Sequence, residues 1–468
     1  MKVLQIEFNE LSPRLLEEFM AAGKLPSFQR FHSDSEVFTT DAEAAPPNLE
    51  PWIQWPSVHL GVSHEEHGLR HLGVTESDED LATGRGPRVG IAQVLSDAGI
   101  RVGVFGAMNV PYGRLDGFYV PDPWNDRAVV HPASLAPYLH TVRTMIRDSS
   151  RTDGESPGAG LPAFGAFLLR NGLTPGTVAV LVKQLLAERR DPGLRWRRAS
   201  CLDWLQYDVF RTLVRRTGVD FATFFSNSTA HYQHYFWRHM DPSRFTTPPD
   251  PADHASYADA VLFGYQSMDR ILGRVLADYP DATLVLCTAL SQQPWTDATK
   301  QTYRPRDWNA VLALAGYSTR EVEVQPIMAE QFVARFPSPA AAEQAVLAFG
   351  RLTVDGRPLM TFDVEGAALI GGCAIDSAGA GELRISGTAD GSTPLLGDVF
   401  RPIHTVRSGR HSAEGALWFR TGRHEVHEQP VRLQDIAPTC LSLLGVDTPA
   451  HMSGRVLPVS GARTGSTG

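Results

Sequence analysis

The stretch Ser226-Asn-Ser-Thr-Ala-His-Tyr-Gln-His-Tyr-Phe-Trp-Arg-His-Met-Asp-Pro242 decides how the rest of the chain is interpreted. It follows the mostly apolar run 219–225, which has the length of a buried strand, so the polar segment begins where that strand would leave its sheet. Open α/β sheets build their sites at this edge. His231, His234 and His239 are therefore candidate metal ligands or proton carriers, although an aromatic-rich helix start would account for the same residues.

Other segments of the chain place polar residues after predicted strands or on predicted helices in the same way. In chain order they are Asn9 and Glu10 after 2–8, Glu50, Gln54, Ser57 and His67 within 46–68, Asn109 after 101–105, Gln292 and Gln293 after 282–287, and His411 between Gly409 and Gly415. The carboxyl ends of parallel strands meet at one edge of a sheet, so these polar groups are expected to lie near one another.

These segments resemble the alkaline phosphatase superfamily, in its phosphodiesterase and nucleotide pyrophosphatase branch, from end to end. The resemblance implies an α/β fold with a mostly parallel central sheet flanked by helices, together with inserted helical and small α+β subdomains. It also implies a metal site. His234, in His-Tyr-Phe-Trp-Arg, and His411, in Gly-Arg-His-Ser-Ala-Glu-Gly, match two histidines that serve the same metal in the family.

The chain departs from the family at most other positions of the usual two-metal site. Ala230, Ala289 and Leu290 stand where the family has ligands, and none of these side chains can coordinate a cation. Asn9 replaces an aspartate and supplies an oxygen without charge. Because a dication in an apolar pocket needs carboxylates to offset its lost hydration, we expect at most one tightly held metal ion per chain.

The nucleophile position of the family falls on Glu50 or Pro51, where no hydroxyl stands. A carboxylate suits a helix N-terminus, since the exposed amides and the helix dipole favour an anion. Glu50 would then be a metal ligand, a general base or a helix cap. We predict that it completes a two-histidine, one-carboxylate site. The alternatives to Glu50 are Glu7, Glu10 and His231.

The site residues are assigned from these matches. The predicted metal ligands are His234, His411, Glu50 and Asn9, holding one divalent ion, with zinc preferred and iron or manganese as alternatives. The predicted catalytic residues are Glu50, His231 and Gln292. The predicted substrate contacts are Gln54, Ser57, Asn109 and Gln293. For the two glutamines at 292 and 293, an ordinary loop role is an equal alternative.

Three functions are compatible with such a site. The first is a metal-dependent hydrolase or transferase acting on a phosphate, phosphodiester or sulfate ester, with water or substrate as nucleophile. The second is a mononuclear metalloenzyme of different chemistry on the same fold. The third is a pseudo-enzyme that binds an anionic ligand without turnover. Retention of His234 and His411 argues against the third function, and loss of the hydroxyl argues against an ordinary phosphomonoesterase.

Composition limits the partners. The 468 residues include 43 Lys and Arg against 52 Asp and Glu, a net charge of −9, so binding of a nucleic-acid polymer through a basic surface is not expected. A small anionic substrate remains. The four cysteines are far apart and are interpreted as reduced residues. The N-terminal run passes directly into charged sequence, so we expect a cytoplasmic protein without a membrane span.

The chain is long for one domain. We predict an α/β core formed by residues 1–315 and 398–459, with a helical insertion at about 125–218, an inserted α+β subdomain at 316–397, and a disordered tail at 460–468. Within the inserted subdomain, the pattern predicts helices at 328–336 and 339–349 and short strands near 359–362, 368–370 and 382–385.

Overall fold

The computed structural model describes residues 1–72, 89–110, 112–125, 128–149, 161–297, 299–327, 331–403 and 406–462. The last six residues of the predicted tail, 463–468, lie outside the described residues. The strands, in chain order, are β1 Val3–Phe8, β2 Ser35–Asp41, β3 Val102–Phe105, β4 Gly117–Val120, β5 Phe221–Ser226, β6 Thr283–Cys287, β7 Ser291–Pro294, β8 Tyr303–Pro305, β9 Glu323–Pro326, β10 Phe332–Arg335, β11 Thr353–Val354, β12 Arg357–Pro358, β13 Met360–Glu365, β14 Ala368–Cys373, β15 Ile385–Ser386, β16 Phe400–Pro402, β17 Gly409–Ser412, β18 Glu414–Arg420, β19 Glu425–Val426 and β20 Val431–Arg432.

The α-helices of the described residues surround these strands. Their bounds are Pro13–Ala21, Pro26–Ser33, Pro51–Leu60, His64–His67, Ile91–Asp97, Ala136–Ser149, Leu161–Arg170, Pro175–Arg190, Arg198–Thr217, Ser228–Met240, Pro251–Tyr257, Ala260–Asp278, Trp308–Leu314, Pro339–Phe349, Leu396–Val399 and Ile436–Leu443. Several begin with proline, whose missing N–H costs nothing in a first helical turn.

A large mixed sheet forms the centre of the molecule, with the order β19-β2-β18-β6-β1-β5-β3-β4 and with β20 also paired to β2. Strands β6, β1, β5, β3 and β4 are parallel to one another, and β18 runs antiparallel between β6 and β2. The predicted fold class, a mostly parallel sheet flanked by helices, is confirmed. The predicted strands near 3–8, 102–105, 221–225 and 282–287 are neighbours in this sheet.

Both faces of the sheet are covered, which is why its central strands are apolar along most of their length. On β1, Leu4, Ile6 and Phe8 pack into one hydrophobic cluster with the helices Ala260–Asp278 and Arg198–Thr217. Val3 faces a second cluster that includes residues of Pro51–Leu60 and Ile436–Leu443. The carboxyl ends of β1, β5 and β6 are thereby held in fixed relation to one another.

Residues between 303 and 400 share a hydrophobic cluster of their own, built on small antiparallel sheets. The predicted helix at 339–349 and the strands near 359–362 and 368–370 are confirmed. The predicted helix at 328–336 is wrong: residues 332–335 form β10, which is buried except at Arg335 and pairs antiparallel with β9 and β14, and 328–330 lie outside the described residues. Near 382–385, only Ile385 and Ser386 are a strand. The domain boundaries themselves stay a prediction.

No disulfide joins the four cysteines, of which Cys287 and Cys440 are buried. Among the described residues, no helix combines the length and apolar character that crossing a bilayer requires.

Candidate functional site

Glu10 lies at the point where β1 leaves the sheet, and its backbone is unusual. Its φ of 61° is in the left-handed region, which costs a non-glycine residue on the order of 1 kcal/mol and is held only by surrounding contacts. Gln233 supplies one of them, since its Nε2 donates to the Glu10 carbonyl at 2.7 Å. Tyr265 donates in turn to Gln233 Oε1 at 2.8 Å and accepts from the Ser12 amide. This chain of hydrogen bonds fixes where the Glu10 carboxylate points.

One oxygen of Glu10 meets both of the histidines selected from the sequence. Glu10 Oε2 lies 3.2 Å from His234 Nε2 and 3.3 Å from His411 Nε2. His234 comes from the helix after β5, and His411 comes from β17. A Cβ at Gly409 would lie 2.5 Å from the Gln233 carbonyl, so only glycine lets β17 approach that helix closely enough.

The charges of this cluster are strongly coupled. Burial raises the pKa of the Glu10 carboxyl, but the His411 and His234 imidazoles outweigh it and bring that pKa well below its usual value. Burial and the Arg407 guanidinium lower the pKa of His234 to about 4, so its ring is neutral near pH 7. Burial also acts to lower the pKa of His411, but Glu10 and Glu50 overcome it and raise that pKa. The Glu10 and Glu50 carboxylates therefore stabilise positive charge at His411, whereas burial and Arg407 keep His234 neutral.

Asn9 and Gln292 support the Glu10 carboxylate from either side. Asn9 Nδ2 donates to Glu10 Oε1 at 2.8 Å and to Asn227 Oδ1 at 2.7 Å, while its oxygen accepts from Trp55 Nε1 at 2.7 Å. Gln292 Nε2 donates to Glu10 Oε2 at 2.5 Å and to the Ala230 carbonyl at 3.0 Å. The sequence predicts Asn9 as a metal ligand and Gln292 as a catalytic residue. In the structure both side chains donate hydrogen bonds to the Glu10 carboxylate and so orient it.

Glu50 approaches the cluster through the other nitrogen of His411. It is the N-cap residue of the helix Pro51–Leu60, with no side-chain cap hydrogen bond, and its Oε2 lies 3.4 Å from His411 Nδ1. The sequence predicts Glu50 as the carboxylate of the site, with Glu10 as one alternative. In the structure Glu10 lies between the imidazoles of His234 and His411, and Glu50 lies against His411 only. A carboxylate on the second nitrogen of a ligating histidine sets the ring's orientation and basicity. At 29% exposure, the Glu50 side chain is also reachable from solvent.

Arg407 lies against His234 and was not singled out from the sequence. Its Nε donates to His234 Nδ1 at 3.1 Å, and a terminal nitrogen lies 3.3 Å from His234 Nε2. A guanidinium is always charged and matches the oxygens of phosphate or sulfate, so this residue brings anion affinity to the site.

The donor atoms of Glu10, His234 and His411 suit a divalent metal ion. One donor atom from each lies within 4.8 Å of the other two. His411 Nε2 is buried and makes no hydrogen bond, although it lies near the Glu10 carboxylate. A buried nitrogen of this kind is costly unless something occupies it, and a two-histidine, one-carboxylate set is a known zinc and iron arrangement.

The remaining predicted site residues lie apart from this cluster. Ser57 is buried and 3.2 Å from His67 Nε2, Gln54 donates to the Asn48 carbonyl, and Asn109 donates to the Trp52 and His71 carbonyls. His231 packs its ring 5.0 Å from that of Tyr235. Gln293 is exposed on β7, opposite Arg410. Ser57, Gln54 and Asn109 therefore serve to position the segments around the site.

The three positions at which apolar residues stand in place of the expected metal ligands are filled by packing. Ala230, Ala289 and Leu290 are buried, and Ala289 has a φ of 56°. The Ala289 carbonyl accepts from Thr40, and the Ala230 carbonyl accepts from Gln292. These residues offer no side-chain donor to a cation.

No family model matches the sequence, and no curated protein matches it either. Among solved structures, the chain is similar to phosphonoacetate hydrolase from Sinorhizobium meliloti 1021 with phosphonoformate, at 13% identity over 93% of this chain and 94% of that one, with a TM-score of 0.41. It is also similar to wild-type alkaline phosphatase PafA (12% identity, 97% and 98% covered, TM-score 0.46) and to murine ectonucleotide pyrophosphatase/phosphodiesterase 5 (9%, 96% and 97%, 0.39).

Proposed function

We propose that the chain is a metal-dependent hydrolase or transferase of a phosphate, phosphodiester or sulfate ester, with one divalent ion held by Glu10, His234 and His411. The observation that carries the proposal is a single carboxylate oxygen 3.2 and 3.3 Å from two imidazole nitrogens. The class of ester is taken from the sequence resemblance. Because Ala230, Ala289 and Leu290 provide no second set of ligands, the pocket holds one ion.

A bound zinc-class ion would supply Lewis acidity toward the ester and toward a water molecule. The chain's own groups prepare that site. Asn9 and Gln292 hold the Glu10 carboxylate by hydrogen bonds, and Glu50 holds His411 through Nδ1. Binding the ion requires His411 to release its proton, so the affinity falls as the medium becomes more acidic.

Arg407 binds the anionic part of the substrate in this proposal. In the structure the Arg407 guanidinium contacts both ring nitrogens of His234. His234 Nε2 cannot bind a metal ion and keep its contact with Arg407 at the same time. With His234 holding an ion, Arg407 would lie beside the site, where its guanidinium could pair with a phosphate or sulfate oxygen.

Glu50 is the group we assign to proton transfer. No hydroxyl stands at position 50 or 51, so the nucleophile is water or a hydroxyl of a second substrate. Glu50 combines solvent access with contact to His411, which lets it accept the nucleophile's proton beside the reacting group.

The test is metal analysis of protein purified without added metal, followed by a screen of phosphodiesters, phosphomonoesters and sulfate esters. We expect no more than one ion in the pocket and ester turnover that a chelator abolishes. Glu10→Gln and His411→Ala should lose metal and turnover together, whereas the exposed Glu17→Gln should keep both. Metal content and turnover unchanged in Glu10→Gln would contradict the proposal.

The second candidate is an anion-binding protein without turnover. The contact of Arg407 with both ring nitrogens of His234 favours it, because a guanidinium can stand in for a metal cation at this imidazole. Calorimetry with inorganic phosphate and sulfate on chelator-treated protein separates the two. Tight anion binding without metal, lost in Arg407→Gln, together with no turnover of any ester, would support the binding protein.

A further inference from the structure

A second group of potential metal ligands lies at the far edge of the central sheet, on strands that take no part in the site described above. One donor atom each from Glu36, Glu425 and His427 lies within 4.8 Å of the other two. We propose that these three residues form a structural site for a zinc-class divalent cation, which ties the sheet-edge strand to the body of the protein.

The strand register places the three side chains on one face. Strands β2 and β19 are parallel, with Glu425 directly opposite Glu36 and Val426 opposite Val37. His427 continues the alignment, since its amide donates to the Val37 carbonyl at 2.9 Å. Alternation along a strand then puts Glu425 and His427 on the same side as Glu36.

Arg423 already pairs with Glu425 at 2.6 Å, whereas the burial of the Glu36 carboxylate is unfavourable without a cation of its own. Like charges directly opposite each other on neighbouring strands destabilise a sheet, and Glu36 is only 1% exposed. Within the described part of the chain, Glu36 forms no ion pair; its partners are the Thr421 hydroxyl at 2.9 Å and the Ser460 amide at 3.0 Å. These uncharged donors orient the carboxylate as outer-shell partners of a metal ligand do.

His427 supplies the independent observation. Its ring is stacked on Phe38, with centroids 4.0 Å apart and planes 5° from parallel, so its orientation is set by packing. Its Nε2 is buried and has no hydrogen-bond partner. The nitrogen is not close enough to either carboxylate to form an ion pair, which leaves a gap among the three donors. A cation with ligands at about 2.0–2.2 Å fits that gap after small rotations of the partly exposed Glu425 and His427 side chains.

A cation bound by these three residues would act on a short strand at the edge of the sheet. Strand β19 has two residues and lies at the edge of the sheet, and Glu36 also holds the backbone at Ser460. A cation joining the three side chains would therefore reduce local opening of residues 421–427 and of the segment around Ser460.

Hydrogen–deuterium exchange of the full-length protein, with and without zinc chloride, tests this locally and independently of the Glu10 cluster. We expect zinc to slow exchange of amides in 425–427 and at Ser460 by at least tenfold, and both His427→Gln and Glu425→Gln to abolish the slowing. His424→Gln, an exposed histidine that is not one of the three donors, is the matched control and should respond like wild type. Equal exchange with and without zinc in wild type, or the same slowing in His427→Gln and Glu425→Gln, would overturn the proposal.

Discussion

Two glutamates at the end of the first strand each meet histidine, and their surroundings give them different roles. Glu7 Oε1 lies 2.9 Å from His59 Nε2, both side chains are fully buried, and the other His59 nitrogen is bonded to the Tyr112 hydroxyl at 2.8 Å. Glu10 shares one oxygen between two imidazoles, beside the partly exposed Glu50. Glu7 is sealed in the interior, where Gln5 Nε2 also donates to its Oε1 at 2.8 Å, whereas Glu10 faces two histidines at an accessible edge and is organised for a ligand.

The largest expected effect is on metal binding. Glu10→Gln removes the charge between His234 and His411 while keeping the shape of the side chain, so metal affinity should fall by more than about 100-fold and ester turnover with it. Glu7→Gln is the matched comparison and should leave metal affinity within about twofold. The measurement is a zinc titration with a competing chelator. Equal losses in the two variants would remove the distinction drawn between the two glutamates.

For the free energy of unfolding, we expect the larger loss in Glu7→Gln and the smaller loss in Glu10→Gln. Breaking a buried pair by removing one partner costs about 3–5 kcal/mol, so Glu7→Gln should lower the free energy of unfolding by roughly that amount. Glu10→Gln should cost less, because His234 is already neutral near pH 7 and Glu50 still lies 3.4 Å from His411. Urea unfolding of chelator-treated protein measures both. A smaller loss in Glu7→Gln than in Glu10→Gln would show that the Glu7 pair is not the structural one.

Asp203 is a further buried carboxylate, and no imidazole contributes to its pKa. Burial raises the pKa of Asp203 to about 7, against the hydrogen bond that the Ser226 hydroxyl donates to Oδ1 at 2.8 Å. The folded protein thus holds a proton that the unfolded chain releases near pH 4, so this group's contribution to stability is complete below about pH 4 and is lost as the pH rises toward 7. The loss amounts to roughly 4 kcal/mol at most.

Asp203→Asn should therefore flatten the pH dependence of the unfolding free energy between about pH 4 and pH 7. Chemical unfolding across that range gives the comparison, with the exposed Asp281→Asn as control. Parallel curves for wild type and Asp203→Asn would mean that Asp203 stays charged without a basic partner.

The smallest effect should come from the support behind Glu10. Tyr265→Phe removes the hydroxyl that donates to Gln233 and accepts from the Ser12 amide. We expect roughly a tenfold loss of metal affinity and about 1–2 kcal/mol of stability. Phe19→Leu, at a ring packed against Tyr265, is a control for packing without the hydrogen bonds. If both variants bind zinc like wild type, the strained backbone at Glu10 is held by other contacts.

Much of the fold could be predicted because its signals are local. The strands 3–8, 102–105, 221–225 and 282–287 are short apolar runs bounded by polar turns, and they are neighbours in the sheet. The strand at Phe332–Arg335 was mistaken for helix because its hydrophobic residues pack against strands β9 and β14, which a short apolar pattern does not reveal.

The site was only partly predictable. His234 and His411 could be selected because their motifs are intact, and the structure brings them within reach of one oxygen. The choice between Glu10 and Glu50 depended on the left-handed backbone at Glu10, which nothing in the residue type signals. Arg407, 173 residues from His234 in the chain, is brought beside it by the neighbouring Ser408, whose amide donates to the His234 carbonyl at 2.7 Å, and this contact has no sequence signal.

The central claim is that Glu10, His234 and His411 hold one divalent ion, and anomalous diffraction from crystals of the zinc-loaded protein tests it most directly. The predicted result is a single peak in this pocket, about 2.0–2.2 Å from Glu10 Oε2, His234 Nε2 and His411 Nε2. A pocket without a peak, two peaks within it, or a peak bound through Glu50 and away from Glu10 would contradict the account.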